Sequence, residues 1–217
     1  VGGALNAVDA VMAGRVRNAF CALRPPGHHA EADRGMGFCI FNNAAIAARY
    51  ALQHAGVDRV LIVDWDVHHG NGTQWIFYDD PTVFYFSTHQ WPHYPGTGMR
   101  DDVGAAEGRG FTLNAPLAGG SARQEVLGAF KGKLVPAMRA FKPNFVIISA
   151  GFDCEAGDPL GGFGLQEEDF VDLTRIMLKL ADDYADGRLI SVLEGGYRLE
   201  GLHDLCGAHV LALQGTP

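Results

Sequence analysis

Apolar positions along the chain alternate between two patterns. Short continuous apolar runs occur at Ala19–Leu23, Arg59–Asp64 (RVLIVD), Val83–Ser87 (VFYFS), Phe111–Leu113, Phe145–Ser149 (FVIIS) and Leu189–Leu193 (LISVL). Runs of this kind predict strands buried on both faces. Between them lie stretches with helical spacing. Leu5, Val8, Val11 and Met12 predict a helix ending at Gly14. Asn42-Asn43 caps an alanine-rich segment that runs to about His54, and Ser121 is placed to cap a helix to about Phe141. Phe170, Leu173, Ile176, Met177 and Leu180 share one face of a helix over Gln166–Tyr184, and Leu199–Leu213 closes the chain as another. Strand and helix alternate, which predicts an α/β fold with a largely parallel sheet. No repeat, low-complexity tract or linker interrupts the pattern, so residues 1–217 read as a single domain. Thr88–Gly110 shows no clear element, and loops of that length in compact domains usually serve function.

Polar residues collect where the predicted strands end. In open parallel sheets, ligands sit outside the carboxyl ends of the strands. After the Ala19 strand comes Pro25-Pro26-Gly27-His28-His29. After RVLIV comes Asp64-Trp65-Asp66-Val67-His68-His69-Gly70-Asn71-Gly72. FVIIS leads to Asp153, and LISVL leads to Glu194-Gly195-Gly196-Tyr197. A lone aspartate after a strand more often caps a helix or loop, and a lone tyrosine as often fills a core. Convergence from separate strands outweighs those readings. Asp64, Asp66 and His68 are spaced i, i+2, i+4, which on an extended chain points them to one side. Two carboxylates and an imidazole in one place suit a borderline divalent cation, with Asp153 as a further ligand. Crowded carboxylates without a neighbouring Lys or Arg repel unless a cation lies among them. His28-His29 fits a metal ligand, a surface loop or an acid/base pair. The templates GxSxG, HExxH and GxxxxGK[ST] are absent, and Gly161–Gly164 lacks the register of a phosphate loop.

Composition narrows the class. Hydrophobic residues make up 47% and charged residues 19%, which is ordinary for a globule. Seventeen Lys and Arg against 25 Asp and Glu give a net charge of −8. With no basic run, nucleic-acid binding through a basic face is excluded. Cys21, Cys39, Cys154 and Cys206 form no CxxC, which points to reduced thiols and a cytoplasmic location. No apolar stretch reaches 18 residues, so no membrane-spanning helix is expected. Glycine is abundant, at 29 residues without a Gly-X-Y period, as in chains with many tight turns beside ligands.

The segments RPPGHH, GFCIFNNAAIAA, VDWDVHHGNGTQ, YPGTG, SAGFD followed by GDPLGG, and EGGY occur in this order. Together they resemble the histone deacetylase superfamily, in particular its class II-type members among bacterial histone-deacetylase-like amidohydrolases. The resemblance runs over the whole chain. It implies a three-layer α/β/α arginase/deacetylase-like fold and zinc-dependent hydrolysis of an N-acyl amide, of the acetyl-lysine type. It implies Asp66, His68 and Asp153 as metal ligands, with Zn²⁺ the expected ion and Fe²⁺ able to occupy the same donors. His29 corresponds to the general base and then acid, and His28 to a charge-stabilising, water-orienting histidine. Asp64 corresponds to the carboxylate that orients His28, Asn71 to the partner of His29, and Tyr197 to the hydroxyl that binds the substrate carbonyl. Gly37 and Phe38 match one side of the acyl-lysine tunnel, Tyr94 or His93 the other, and Leu160 its rim. A structural K⁺ is implied at Asp64, Ser87 and the backbone carbonyls of Asp66, His68 and Thr88.

Asn71 stands where class I relatives place an aspartate, so a less elevated His29 pKa is expected. An apolar Leu160 favours acyl-lysine or simple acyl amides over acetylpolyamines. Three alternatives stay open: an acetylpolyamine amidohydrolase, a catalytically silent acyl-binding or scaffold protein, and a binuclear manganese hydrolase. The last needs bridging carboxylates, for which Glu155 and Asp158 are the candidates. The resemblance also implies an N-terminally incomplete domain that lacks the family's first strands, with an exposed sheet edge or a covering partner. It admits a homo-oligomer.

Overall fold

The computed structural model describes residues 1–215. Six strands form one sheet: β1 (Asn18–Cys21), β2 (Val60–Asp64), β3 (Val83–Gln90), β4 (Thr112–Leu117), β5 (Phe145–Ala150) and β6 (Leu189–Leu193). Their order across the sheet is β1-β6-β5-β2-β3-β4, and every pairing is parallel. The central strands are apolar at nearly every position because both faces are covered. Successive residues therefore serve opposite cores. Val60, Ile62, Phe145 and Ile147 pack under α1 (Gly2–Met12) and α2 (Asn43–Ala51). Leu61, Val63, Val146 and Ile148 pack on the other face, under α4 (Arg123–Ala129), α5 (Val135–Phe141), α6 (Glu167–Tyr184) and α7 (Leu199–Leu213). The result is the three-layer α/β/α architecture. Each buried Val, Ile, Leu or Phe contributes about 1.5–3 kcal/mol, and truncating one such as Ile148 to Ala costs about 2–5 kcal/mol.

Local chemistry sets the element ends. Asn42 caps α2, its Oδ1 accepting the Ala45 N–H at 2.9 Å. Alanines 44, 45, 47, 48 and 51 are buried, so α2 lies close on the sheet. The helix stops at Ala51, short of His54, and turns follow it.

The expected single helix from Ser121 to Phe141 is three pieces. Ala122, not Ser121, occupies the N-cap of α4, and Glu125 Oε2 accepts the Ala122 N–H at 3.1 Å. Phe130–Leu134 is a π-helical stretch between α4 and α5. Pro136 lacks the N–H that would close an α-turn onto Gly132, which accounts for the widened turn just before it.

Two elements lie beyond the reach of the apolar pattern. α3 (Asn71–Ile76) starts inside the polar segment after β2, and β3 continues through Thr88, His89 and Gln90. The long loop after β3 also holds a 3₁₀ turn at Ala106–Gly108. β4 extends past Leu113 and includes Pro116, which an edge strand tolerates. β1 forms the other edge, half-buried at Asn18, Ala19 and Phe20. Among the described residues, no helix is long and apolar enough to cross a membrane.

Candidate metal centre and active site

The carboxyl ends of β1, β6, β5 and β2 are neighbours in the sheet, so the polar segments that follow them meet. Asp66 and His68 follow β2, and Asp153 follows β5. One ligand atom from each of these three buried residues lies within 4.8 Å of the others. Among the described residues this is the one His/Cys/Asp/Glu group with such geometry.

Backbone donors aim the carboxylates. Asp66 Oδ2 accepts the Gly195 N–H at 2.8 Å, and Asp153 Oδ1 accepts the Val67 N–H at 2.8 Å. That leaves Asp66 Oδ1 and Asp153 Oδ2 facing His68 Nδ1, each at 3.0 Å. Gly195 must be glycine here, because a Cβ would run into both carboxylates. No Lys or Arg forms an ion pair with Asp66 or Asp153 among the described residues. Burial and the facing Asp66 charge push the Asp153 carboxyl up to about 7. Burial opposes a charge on His68, but its hydrogen bonds to the Asp153 and Asp66 carboxylates, and their charges, outweigh it and raise His68 to about 10. The pocket thus demands positive charge. A mixed O/N set of buried, converging donors fits a borderline divalent cation.

The spacing argument placed Asp64 with Asp66 and His68, and here the structure differs. β2 ends at Asp64 and the chain bends through Asp66–His68, so the strand alternation does not carry on. Asp64 instead meets the loop after β1, its Oδ2 accepting from His28 Nδ1 at 3.0 Å and from the Tyr85 hydroxyl at 3.1 Å. Burial works against a proton on His28, yet the charges of Asp66 and Asp64 hold its pKa well above the ordinary value. His28 Nε2 lies 3.8 Å from Asp66 Oδ1, which joins the histidines to the three-residue cluster.

His29 lies against His28, ring centroids 4.0 Å apart, and edge-on to His68 at 5.9 Å. Its Nδ1 is 2.8 Å from Asn71 Oδ1. Burial, helped by the His28 charge, pushes His29 down to about 3. It is therefore neutral at pH 7, with Nδ1 facing an acceptor.

Glu194 was not singled out by sequence, although it opens the Glu-Gly-Gly-Tyr segment. It is buried, and its Oε2 accepts the Gly27 and His28 N–H groups at 2.6 and 3.1 Å. Its Oε1 accepts the Ser149 hydroxyl at 3.0 Å. One carboxylate thus ties the histidine loop to β5 and β6. Burial pushes it up to about 7.

Tyr197 is half-buried at the mouth, its ring 6.0 Å from Phe38. Burial, then the charges of Asp66 and Asp153, raise its phenol far above the ordinary range, so it stays protonated. Phe38 and Tyr94 are exposed on either side, and Tyr94 stands edge-on to His29 at 5.1 Å. His93 stacks on His68 at 5.0 Å, and its Nε2 lies 2.9 Å from the Leu160 carbonyl. His93 and Tyr94 thus reach His68 and His29, while Phe38 reaches Tyr197. Gly37 has φ 53°, and a Cβ there would enter the His29 ring.

The residues expected around a monovalent cation are adjacent. Asp64 pairs with Ser87 in the β2–β3 register, and Thr88 Oγ1 is buried without a partner. Ser87 Oγ itself pairs with His89 Nδ1 at 2.9 Å.

Glu155 and Asp158 lie outside the cluster. Glu155 pairs with Arg198 at 2.6 Å, and Asp158 accepts the Tyr197, Arg198 and Leu160 N–H groups. Asp158 thereby fixes the backbone beside Tyr197, a role that its sequence context does not signal. Gly162 and Gly164 N–H groups are used by Gln90 and Ser121, which removes the phosphate-loop reading. All four cysteines are free thiols.

Comparison with known proteins agrees on one family. Residues 1–213 match the model of the histone deacetylase domain. A probable deacetylase of Archaeoglobus fulgidus is 44% identical over 200 residues, covering 92% of this chain and 55% of the relative. The polyamine deacetylase HDAC10 of Mus musculus is 46% identical over 223 residues, covering 100% of this chain and 33% of the relative. The crystal structure of the HDA15 HD domain superposes with a TM-score of 0.93 at 43% identity, covering 98% of this chain and 60% of that one. The chain thus spans about half or less of the length of these curated relatives. With its matched fold and a family model that spans residues 1–213, the chain belongs to the histone deacetylase family.

Proposed function

We propose that the chain hydrolyses N-acyl amides, with acetyl-lysine side chains as the substrate class. The observation that carries this reading is the buried Asp66/His68/Asp153 cluster beside a tandem histidine pair. Those three residues would hold a divalent cation, Zn²⁺ or Fe²⁺. When bound it supplies Lewis-acid polarisation of the amide carbonyl and acidifies a water.

The chain's own residues do the rest. His29 is neutral, and its Nδ1 is committed to Asn71, so Nε2 is the atom that accepts a proton from the attacking water. The same nitrogen then delivers that proton to the leaving amine. His28, charged against Asp64 and Asp66, orients the water. Tyr197 keeps its proton and donates a hydrogen bond to the carbonyl oxygen as that oxygen gains negative charge. Phe38 and Tyr94 flank the methylene chain of an extended lysine. Asp64, Ser87 and the backbone carbonyls of Asp66, His68 and Thr88 would hold a structural K⁺ beside the segment that carries the ligands. The free thiols accord with a cytoplasmic location.

An acetyl-lysine reporter tests the reading. Turnover is expected to stop with a chelator and to return with Zn²⁺. The melting temperature should fall and recover with the ion, because binding to the folded state alone stabilises it. Activity indifferent to the chelator would end this reading.

A second substrate class is favoured by one observation, the 46% identity to a polyamine deacetylase. Leu160 at the mouth offers no charge to a polycation. Acetyl-lysine peptide is therefore expected to outrun acetylputrescine in kcat/KM. The reverse order would assign the chain to polyamines.

A further inference from the structure

The amide of Asn71 carries a choice that the site cannot leave open. With Oδ1 towards His29, the imidazole must present Nδ1–H and keeps Nε2 as an acceptor. With Nδ2 towards His29, the neutral ring must present a lone pair at Nδ1, and Nε2 becomes a donor unable to take a proton. His29 does not settle the choice, since a neutral imidazole accommodates either.

The other side of Asn71 does settle it. Nδ2 lies 2.8 Å from Glu31 Oε1, 3.4 Å from Met36 Sδ and 3.5 Å from the His29 carbonyl. All three are acceptors, and none can satisfy an amide oxygen. Of the three, only the Glu31 carboxylate is close and charged. Glu31 is in turn gripped by the Arg34 fork, Nε to Oε2 at 2.9 Å and Nη2 to Oε1 at 3.0 Å. The Arg34 hydrogen bonds hold the Glu31 carboxyl below the ordinary carboxylate range, so it remains an acceptor. As an exposed ion pair alone, Arg34–Glu31 would contribute little. Its reach into a buried amide gives it a second use.

We propose that Glu31 is a positioning residue for His29: through the Nδ2 of Asn71 it fixes the amide orientation, and thereby the imidazole tautomer that leaves Nε2 free. Glu31 touches no reacting atom. The chain of contacts is Arg34, Glu31, Asn71, His29. It rests on the deacylase reading for its kinetic consequence, though its structural consequence stands without it.

The test uses the whole chain with Glu31→Ala and Glu31→Gln, alone and on an Asn71→Asp background. Two quantities are read: kcat and KM on the acetyl-lysine reporter, and the ¹⁵N shifts of the His29 ring in metal-free and Zn²⁺-loaded protein. Glu31→Ala is expected to lower kcat by about tenfold, with KM within about twofold, because a base in the wrong tautomer is lost to catalysis. The His29 nitrogens should move from the Nδ1–H pattern towards a mixture. Glu31→Gln keeps an oxygen that accepts from Asn71 and should stay within about threefold of the parent.

On the Asn71→Asp background both side-chain oxygens accept, so nothing remains to be oriented. There Glu31→Ala should no longer lower kcat, a coupling that a merely structural role would not produce. A Glu31→Ala protein with parental His29 shifts overturns the proposal, whatever its activity. An equal loss on both backgrounds overturns it too. If the parent shows no deacylase turnover, the functional reading fails, while the ring shifts still decide the role of Glu31.

Discussion

Two groups of histidines are equally dry and chemically opposite. His28 and His68 meet carboxylates, from Asp64, Asp66 and Asp153. His69, His89 and His209 meet hydroxyls, amides and a carbonyl. His69 lies between Thr97 and Gln74, His89 between Ser87 and the Gly98 carbonyl, and His209 between Thr174 and Ser191. Burial alone drives a histidine neutral, as it does His89 to about 4 and His209 to about 3. Only neighbouring carboxylates reverse that direction. His29 lies against His28 but has an amide for a partner, and it stays neutral, the state that the proposed proton acceptor needs. Burial does not separate these histidines from one another, whereas the charge of the partner does: carboxylates hold a proton on the ring, and amides, hydroxyls and carbonyls leave it neutral.

The sharpest way to break this contrast is to exchange roles. His29→Ala is expected to lower kcat about 10²- to 10⁴-fold on the acetyl-lysine reporter with the melting temperature nearly kept. His209→Ala should do the reverse, leaving kcat within a few-fold. A His29→Ala protein that turns over normally would remove the acid/base assignment. Next in size, Tyr197→Phe is expected to reduce kcat by about 10²-fold, by removing one donor from the carbonyl oxygen. Steady-state kinetics with an unchanged KM would support this, and a purely KM effect would place Tyr197 in binding alone.

The smallest effect lies in the neutral group. His209→Ala removes the partner of the Ser191 hydroxyl, while the Thr174 hydroxyl keeps its bond to the Phe170 carbonyl, and should cost about 1–3 kcal/mol in denaturant unfolding. The wild-type His209 also carries a pH signature. Its pKa is depressed to about 3 in the fold against about 6.5 in an unfolded chain. Stability that it contributes is complete above pH 6.5 and is lost as pH falls towards 3, because the unfolded chain binds the extra proton. Melting curves of His209→Gln should decline less across that window. Parallel declines for both proteins would show that His209 does not titrate there.

Much of this was legible in the sequence for a plain reason. Strands buried on both faces are written as apolar runs, and β2, β5 and β6 lie where RVLIVD, FVIIS and LISVL place them. The polar segments after those runs meet because parallel neighbours end on one side. What stayed hidden is non-local or backbone-made. Glu194 reaches Gly27 across 167 residues, and no local pattern announces that bond. Asp64 turned to His28 because the chain bends after β2, which a strand period cannot foresee. The π-helical turn at Phe130–Leu134 arises from a missing N–H at Pro136, while the apolar spacing continues across it. β3 runs on through His89 and Gln90 because their polar groups find buried partners in the tertiary structure.

Glu194 also sets an order of assembly. The histidine loop follows β1 and comes before the other site segments in sequence, yet among the described residues β1 pairs only with β6 and the loop is fastened by the residue just after it. Contacts so far apart in sequence close late, after the loop-closure entropy between them has been overcome. A chain that runs only as far as the residues after β5 already holds Asp66, His68 and Asp153, with Asp64 and Asn71 to meet the histidine side chains, but it lacks the carboxylate that fastens the backbone of the histidine loop. The backbone anchor of the histidine pair thus waits on β6, the strand that lies between β1 and β5.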